Sequence, residues 1–484
     1  MVKAKRQLSK HSENKWMILA LLVLAQFMVV LDVAIVNVAL PSINRELHFG
    51  AGGLQWVITA YTITFGGFLL LGGRAADLFG RRRLFIGAVS VFALASLACG
   101  LAQSDTMLIV TRAIQGLAGA FMSPAALSIV LSEFEEGKDR NTAMGVWAAV
   151  SAGGAAAGVL LGGVLTQYLS WRWNFFVNVP VGIIVVFTAL RMLPHHIGEE
   201  NKKIDLDLPG AITATGGLMA IVYGLSKAPN DGWNSTTVWG FIAAGVVLLL
   251  TFVINERRAK QPLMPLEIFR IRNLAGANAA FLVIACTLFS MFFFLTLYVQ
   301  TVLHYSPVKT GISFLPTTFI IAIMSGIISN IVGKIGYKPP LNLGPLVLAL
   351  GLFLLGHYMK VGGNYWHNVF PGLAVFAVGM GLTFVSGTLA ATSGVPKHFS
   401  GLASGILNTS QQVGGAIGLA VLSAVAFSTF KAETSAGGPA IYAQVHGYQA
   451  GIDVGIILAL AAAVVVFLVV KNHKVDAKEA MMAG

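Results

Sequence analysis

The chain has 484 residues, of which 56% are hydrophobic and only 11% charged, with a formal net charge of +12. A soluble protein of this length needs far more charge to cover its surface, so a water-soluble globular fold is excluded. The positive balance raises nucleic acid as a partner. However, Lys and Arg alternate between loops and do not gather on one face, as residues that set membrane orientation do.

Residues 1–15 form a basic tail, and an apolar run follows from Trp16 to about Leu40. That run is too long for a signal-peptide core and lacks a small-residue cleavage site after it, so it reads as a retained transmembrane helix. Thirteen more spans are expected at 53–73, 84–102, 107–131, 144–166, 174–193, 209–226, 236–254, 274–299, 310–332, 341–359, 368–392, 404–428 and 450–470. At about 20 residues each, the fourteen spans leave only loops and short tails, too little for a second soluble domain. Alternate loops carry 25 Lys and Arg on the side of the N-terminus and six on the other: Arg45, Arg172, Lys227, Lys309, Lys360 and Lys431. This asymmetry puts both termini in the cytoplasm of a bacterial plasma membrane protein, and an odd number of spans would scramble it.

Faint internal echoes set the domain plan. Gly333-Lys-Ile-Gly-Tyr-Lys338 follows span 10 as Gly73-Arg-Ala-Ala-Asp77-Leu-Phe-Gly80-Arg81-Arg-Arg follows span 2. Gly414-Gly-Ala-Ile-Gly418 in span 13 matches Gly153-Gly-Ala-Ala-Ala-Gly158 in span 5. The expected fold is therefore an all-α polytopic membrane protein with two pseudo-repeated six-helix bundles, 16–193 and 274–470. The segment 194–273 between them carries an inserted two-helix hairpin, and 471–484 is a cytoplasmic tail.

Two ionisable residues fall inside spans, Asp32 in span 1 and Arg112 in span 4. Each costs at least about 2.5–3.5 kcal/mol at membrane depth, so such residues mark ion or substrate pathways. Depths of roughly 12 and 8 Å below the outer ends let the two meet in the outer half of one cavity, and Gln115 shares the Arg112 face. A static pair that only holds two helices together is the plainer alternative. Gly73 and Gly80 permit a tight cytoplasmic turn in which Asp77 can latch onto arginines such as Arg81; a merely topogenic basic loop is the alternative. Gly154, Gly158 and Gly162 recur every four residues in span 5, a stripe that lets another backbone approach closely.

The loop after span 2 resembles the signature of the major facilitator superfamily at that place. Leu31-Asp32-Val-Ala-Ile-Val-Asn37 through Pro41, Trp171-Arg-Trp173-Asn-Phe-Phe176-Val-Asn178 through Gly182, and Gly401 through Gly414 with Asn408, Gln411 and Gln412 sharpen this. With fourteen spans, they make the chain resemble the EmrB/QacA-type drug:proton antiporters from Lys15 to about Lys471. The span 5 stripe resembles the superfamily's antiporter motif, although Val159 stands where many members have proline. The resemblance implies that span 5 packs against span 10 on the outer side, where the stripe would act as a gate; the alternative is that the stripe packs within the N-terminal half, where any bulky change would simply misfold it.

The expected function is proton-coupled antiport of amphipathic organic compounds, with Asp32 and Arg112 coupling the proton. An apolar cavity given polar points by Gln26, Tyr61, Gln115, Asn408 and Gln411 would hold the cargo. No cofactor beyond the proton gradient, no metal, no nucleic acid and a monomeric state are expected. An exporter of lipid or of a host-made metabolite, and a membrane sensor without turnover, remain rival readings. An intramembrane enzyme lacks an acid/base pair or metal cluster, and ATP drive lacks a GxxxxGK[ST] loop. Cys99 and Cys286 read as packing residues, and His195-His196 lacks metal-ligand spacing. Asp453 reads as a helix-start acid at the outer end of span 14 that could also help attract cations.

Overall fold

The computed structural model describes residues 2–50, 52–134, 137–193, 206–396 and 399–472; side chains are described from Lys15 on, excepting 77, 152 and 400. His195-His196 lies outside the described residues. Among those described, fourteen helices are long and apolar enough to cross a membrane. The first six are α1 (Lys15–Leu47), α2 (Trp56–Phe79), α3 (Arg81–Gly100), α4 (Asp105–Glu133), α5 (Lys138–Tyr168) and α6 (Trp173–Met192). Then come α7 (Leu208–Asp231), α8 (Thr236–Arg258), α9 (Arg272–Val302) and α10 (Pro307–Ile335). The last four are α11 (Lys338–Tyr358), α12 (Phe370–Thr392), α13 (Gly401–Ser435) and α14 (Ala440–Val469). Helices prevail because backbone groups in hydrocarbon have no water to bond and must be satisfied within the segment.

Hydropathy locates the membrane but not the ends of the helices. α1 continues through Pro41 to Leu47. α13 and α14 continue to Ser435 and start again at Ala440, because the stretch between the apolar parts is polar yet helix-compatible. This corrects the reading of Asp453. It is exposed and lies thirteen residues into α14, far from the positive end of any helix dipole.

The two halves pack by one scheme. α1 lies on α5, α2 on α4, α3 on α4 and α6; eight spans later, α9 lies on α13, α10 on α12, α11 on α12 and α14. Glycine makes the first of these contacts in both halves. A Cβ added at Gly158 would stand 2.6 Å from Ala34 Cβ, and one at Gly162 2.7 Å from the Ile35 carbonyl oxygen. In the other half, a Cβ at Gly414 would stand 2.0 Å from the Leu282 carbonyl oxygen and one at Gly418 2.1 Å from Cys286 Cα. Gly154 likewise meets Phe27 and Val30 of α1.

The stripe of Gly154, Gly158 and Gly162 therefore packs inside the first bundle and does not face span 10. The seam between halves uses the neighbouring face of α5, about 100° round the helix. There a Cβ at Gly163 would lie 2.6 Å from the Pro307 carbonyl oxygen, and one at Gly311 2.4 Å from the Val159 carbonyl oxygen. α5 is one continuous helix through Val159. The second seam joins α2 to α13, where Thr409 Oγ1 donates to the Gly66 carbonyl at 3.3 Å. α7 lies over this seam, with Leu218, Val222 and Leu225 clustering on Ile63 of α2 and on Ala416 and Ala420 of α13. α8 packs on α7 and is otherwise turned outward.

These contacts separate two glycines only five residues apart. Gly158→Leu should overpack the first bundle, costing about 1–3 kcal/mol and lowering the melting temperature in detergent. Gly163→Leu should spare that temperature but raise thiol labelling of a cysteine placed at Val308, against the low background of the buried Cys99 and Cys286. Equal melting temperatures with unchanged labelling would contradict this assignment of faces.

Candidate functional site

Asp32 and Arg112 meet, but in the buried interior of the first bundle and not in a cavity. Asp32 is 0% and Arg112 1% exposed. Arg112 Nη1 donates to Asp32 Oδ2 at 2.5 Å, while Gln115 Nε2 and Asn178 Nδ2 donate to Oδ1 at 2.7 and 3.0 Å. Arg112 also donates from Nε to the Val57 carbonyl at 2.9 Å and from Nη1 to Gln115 Oε1 at 2.7 Å. Ser96 Oγ accepts from Gln115 and Asn178, each at 3.1 Å, and donates to the Phe175 carbonyl at 2.9 Å. The guanidinium carbon lies 4.3 Å from the centre of the Tyr61 ring, within cation–π range.

α1, α2, α3, α4 and α6 all contribute to this cluster. The first turns of α6 bring the Phe175 carbonyl and Asn178 to it. Asn178 lies in a stretch whose family likeness is visible in the sequence. Ser96 gives no sequence signal, being one serine in an apolar helix. The arrangement can hold an ionised carboxylate in hydrocarbon because three donors replace water around it. Adding a proton to Asp32 would leave Arg112 without a balancing charge.

The residues expected to line one cavity are dispersed. Tyr61 and Gln115 belong to the buried cluster, and Gln26 accepts a hydrogen bond from Ser123 at 2.9 Å. Gln411 faces Phe281 and Phe384 in a small gap within the second half, and Asn408 is exposed. A cavity of about 770 Å³ instead opens between the halves on the side away from the termini, hereafter the far side. Arg45, Phe49, Tyr305, Phe430, Gln444 and Tyr448 are among its lining residues, and none of its described lining residues is acidic. Gln300 Nε2, donating to the Val38 carbonyl at 2.8 Å, ties α9 to α1 beside it. α9 ends here in a π-helical turn, Tyr298–Val302, and His304 has a left-handed φ of 54°. Such departures from regular backbone concentrate at functional sites.

On the side of the termini, Gly80 makes the α2–α3 turn with φ of 86°. A Cβ at Gly73 would meet nothing, so the close approach expected of Gly73 belongs to Gly72, which abuts the Ala120 carbonyl. The Asp77 side chain lies outside those described. Arg81 Nη1 reaches the Ser128 carbonyl at 3.4 Å. Arg74 donates to the Gln261 carbonyl at 2.6 Å and to that of Pro262. The same loop is held from its other side. Met264 N–H donates to Glu256 Oε2 at 2.8 Å and Leu263 N–H to Asp207 Oδ2 at 3.4 Å. Burial pushes the Asp207 carboxyl up, but hydrogen bonds with Asn255, Glu256 and the Gly210 and Leu263 N–H groups outweigh it and hold it below the ordinary aspartate range. This junction between α2 and the inserted hairpin has no signal in local sequence.

If the ion pair organises the first bundle, its halves should not be independent. Arg112→Leu leaves a buried carboxylate without its cation and should cost about 3–5 kcal/mol. Adding Asp32→Leu should recover much of that loss, read as melting temperature in detergent. A double variant as unstable as Arg112→Leu alone would refute the coupling.

Comparison with known proteins fits this geometry. The profile of the Major Facilitator Superfamily matches residues 22–419. The puromycin resistance protein pur8 of Streptomyces alboniger is 39% identical over 475 residues, covering 96% of this chain and 93% of that protein. The cephamycin export protein CmcT of Amycolatopsis lactamdurans is 38% identical, covering 87% and 86%. The tetracenomycin C resistance and export protein of Streptomyces glaucescens is 34% identical, covering 84% and 75%. Among solved structures, an auto-inhibited POT family peptide transporter shares the fold with a TM-score of 0.68 at 13% identity, covering 96% of this chain and 99% of that one. With fourteen membrane-crossing helices, matched six-helix halves and relatives of this identity along nearly its whole length, the chain belongs to the Major Facilitator Superfamily.

Proposed function

We propose that this protein exports amphipathic organic compounds, antibiotics among them, across a bacterial plasma membrane in exchange for protons, with both termini cytoplasmic. The observation that carries the coupling is the fully buried Asp32–Arg112 pair, which draws on five helices of one bundle. The relatives named for resistance and export support the direction and the class of cargo.

The mechanism follows from charge balance. While Asp32 is ionised, its charge is balanced by Arg112 and the first bundle stays closed around the pair. A proton arriving on Asp32 cancels the attraction and strands Arg112 in an apolar core. The protein then favours a state in which Arg112 finds water or another acceptor. Return requires release of that proton on the cytoplasmic side. Each charge moved through 100 mV yields about 2.3 kcal/mol, enough for roughly 50-fold accumulation before any pH gradient is added.

The far-side cavity supplies the exit. Phe49, Tyr305, Phe430 and Tyr448 offer aromatic surface, while Asn44, Gln300 and Gln444 offer hydrogen bonds. That balance fits flat amphipathic molecules better than sugars. Arg45, with no acidic residue among the described lining, favours neutral or anionic cargo over dications.

In proteoliposomes with an imposed pH gradient, Asp32→Asn should bind cargo yet lose gradient-driven transport; full transport by that variant would reject Asp32 as the coupling site. Arg45→Glu should shift the cargo profile towards cations by about tenfold in relative efficiency, the size of one well-placed charge interaction at a partly exposed site. An unchanged profile would remove Arg45 from selection.

A further inference from the structure

Three consecutive arginines begin α3, and they are not equivalent. Arg81 reaches the Ser128 carbonyl near the end of α4, and Arg82 Nη2 donates to the Leu190 carbonyl near the end of α6 at 2.6 Å. Arg82 thus serves one of the last carbonyls of α6, which lack intrahelical donors. Arg83 is exposed and has no hydrogen-bond or ion-pair partner among the described residues. Its guanidinium stands instead at a groove of about 440 Å³ on the outer face of the first bundle.

The groove runs between α3 and α4 and is otherwise apolar, with Leu84, Gly87, Val91, Leu117 and Phe121 along it and Phe79 beside its mouth. Phe79 and Val91 are 54% and 45% exposed, so the groove opens towards the surrounding hydrocarbon and not towards the path between the halves. A Cβ added at Gly87 would meet nothing within 4 Å, so glycine here is not required by helix packing and leaves the groove open. From Arg83 to Val91 the helix rises about 12 Å, most of the roughly 15 Å of hydrocarbon in one leaflet. A fixed cation at the interface with an apolar channel leading inward is complementary to one kind of molecule. Such a molecule has an anionic head and a long hydrocarbon chain.

We propose that this groove holds one anionic phospholipid from the leaflet on the side of the termini, its phosphate on Arg83 and an acyl chain along Gly87 and Phe121. A lipid seated there touches α2, α3 and α4 at once, near the end of α2, the helix whose Arg74 grips the loop after the hairpin. The proposal is independent of proton coupling and of cargo, and it requires only that the chain lie in a bilayer.

The test uses the full chain purified in detergent with phosphatidylglycerol or phosphatidylcholine, and native mass spectrometry to count retained lipid. Wild type should retain one phosphatidylglycerol more strongly than phosphatidylcholine. Arg83→Gln should cut that preference about fivefold, the effect of losing one interfacial cation, and Arg83→Lys should keep most of it. Gly87→Leu, whose Cβ meets nothing within 4 Å and whose side chain enters the groove, should lower retention of both lipids while the melting temperature stays unchanged. Arg257→Gln, another exposed arginine on the same side, should have no effect. Equal retention of both lipids by wild type would overturn the proposal, as would an Arg257→Gln effect matching that of Arg83→Gln. Unaltered retention in Gly87→Leu would show that no chain occupies the groove and would equally overturn it.

Discussion

Helices in a bilayer gain little from hiding apolar surface, because the lipid is as apolar as their partners. What holds them together is close van der Waals contact and the few polar bonds they can make. That constraint explains why α1 meets α5 and α9 meets α13 through glycine, at spacings where an added Cβ would strike backbone or a neighbouring Cβ. With α5 seated so deeply, α1 is fixed along its length, and the position of Asp32 is fixed with it. The ion pair is thus a consequence of the small-residue contact as much as a contributor to the bundle.

The buried pair would be a poor choice if stability were all that mattered. Replacing such a pair by well-packed apolar residues is often neutral or stabilising, whereas breaking it is costly. An arrangement that is cheap to keep intact and expensive to half-discharge is suited to sensing one proton. In the proposed mechanism, the cost of the discharged state would drive the protein out of its closed form. Gln115 and Asn178 matter here because they donate directly to the ionised carboxylate, and Ser96, which accepts from both, holds those two donors in place.

Span number and the pairing of Asp32 with Arg112 were legible because intramembrane charge is rare and hydropathy is periodic over long windows. The echo between Gly153–Gly158 and Gly414–Gly418 was also legible, and it corresponds to equivalent contacts in the two halves. What the stripe packs against was not. Successive residues of a helix point about 100° apart, so Gly162 and Gly163 serve different partners, and spacing alone cannot say which faces the opposite half. The surroundings of the other polar residues were not legible for a related reason. Gln26, Tyr61, Gln115, Asn408 and Gln411 are polar residues in spans, but spacing alone does not say whether such a side chain bonds a neighbour, as Gln26 and Gln115 do, or borders a gap, as Gln411 does. Contacts between segments far apart in sequence, such as Arg74 with Gln261, leave no local trace.

The inserted hairpin acquires a mechanical meaning from where it lies. α7 covers the α2–α13 seam and packs on helices of both halves, while α8 adds only an outer layer. Lys431 of α13 donates to the Asn230 carbonyl at the far side, and Arg74 of α2 grips the loop after α8 on the side of the termini. The hairpin is therefore tied to one half at each end. If the halves rock about a central site, the motion at this seam must be taken up as sliding along α7. Its small residues, Gly216, Gly217 and Gly224 among them, face α8 and leave the α2–α13 side to Leu218, Val222 and Leu225. Packing of that kind lets an apolar surface shift over its neighbours without breaking hydrogen bonds, whereas the polar ties at its two ends, like the Thr409–Gly66 bond across the seam itself, must stretch or break if the halves separate there.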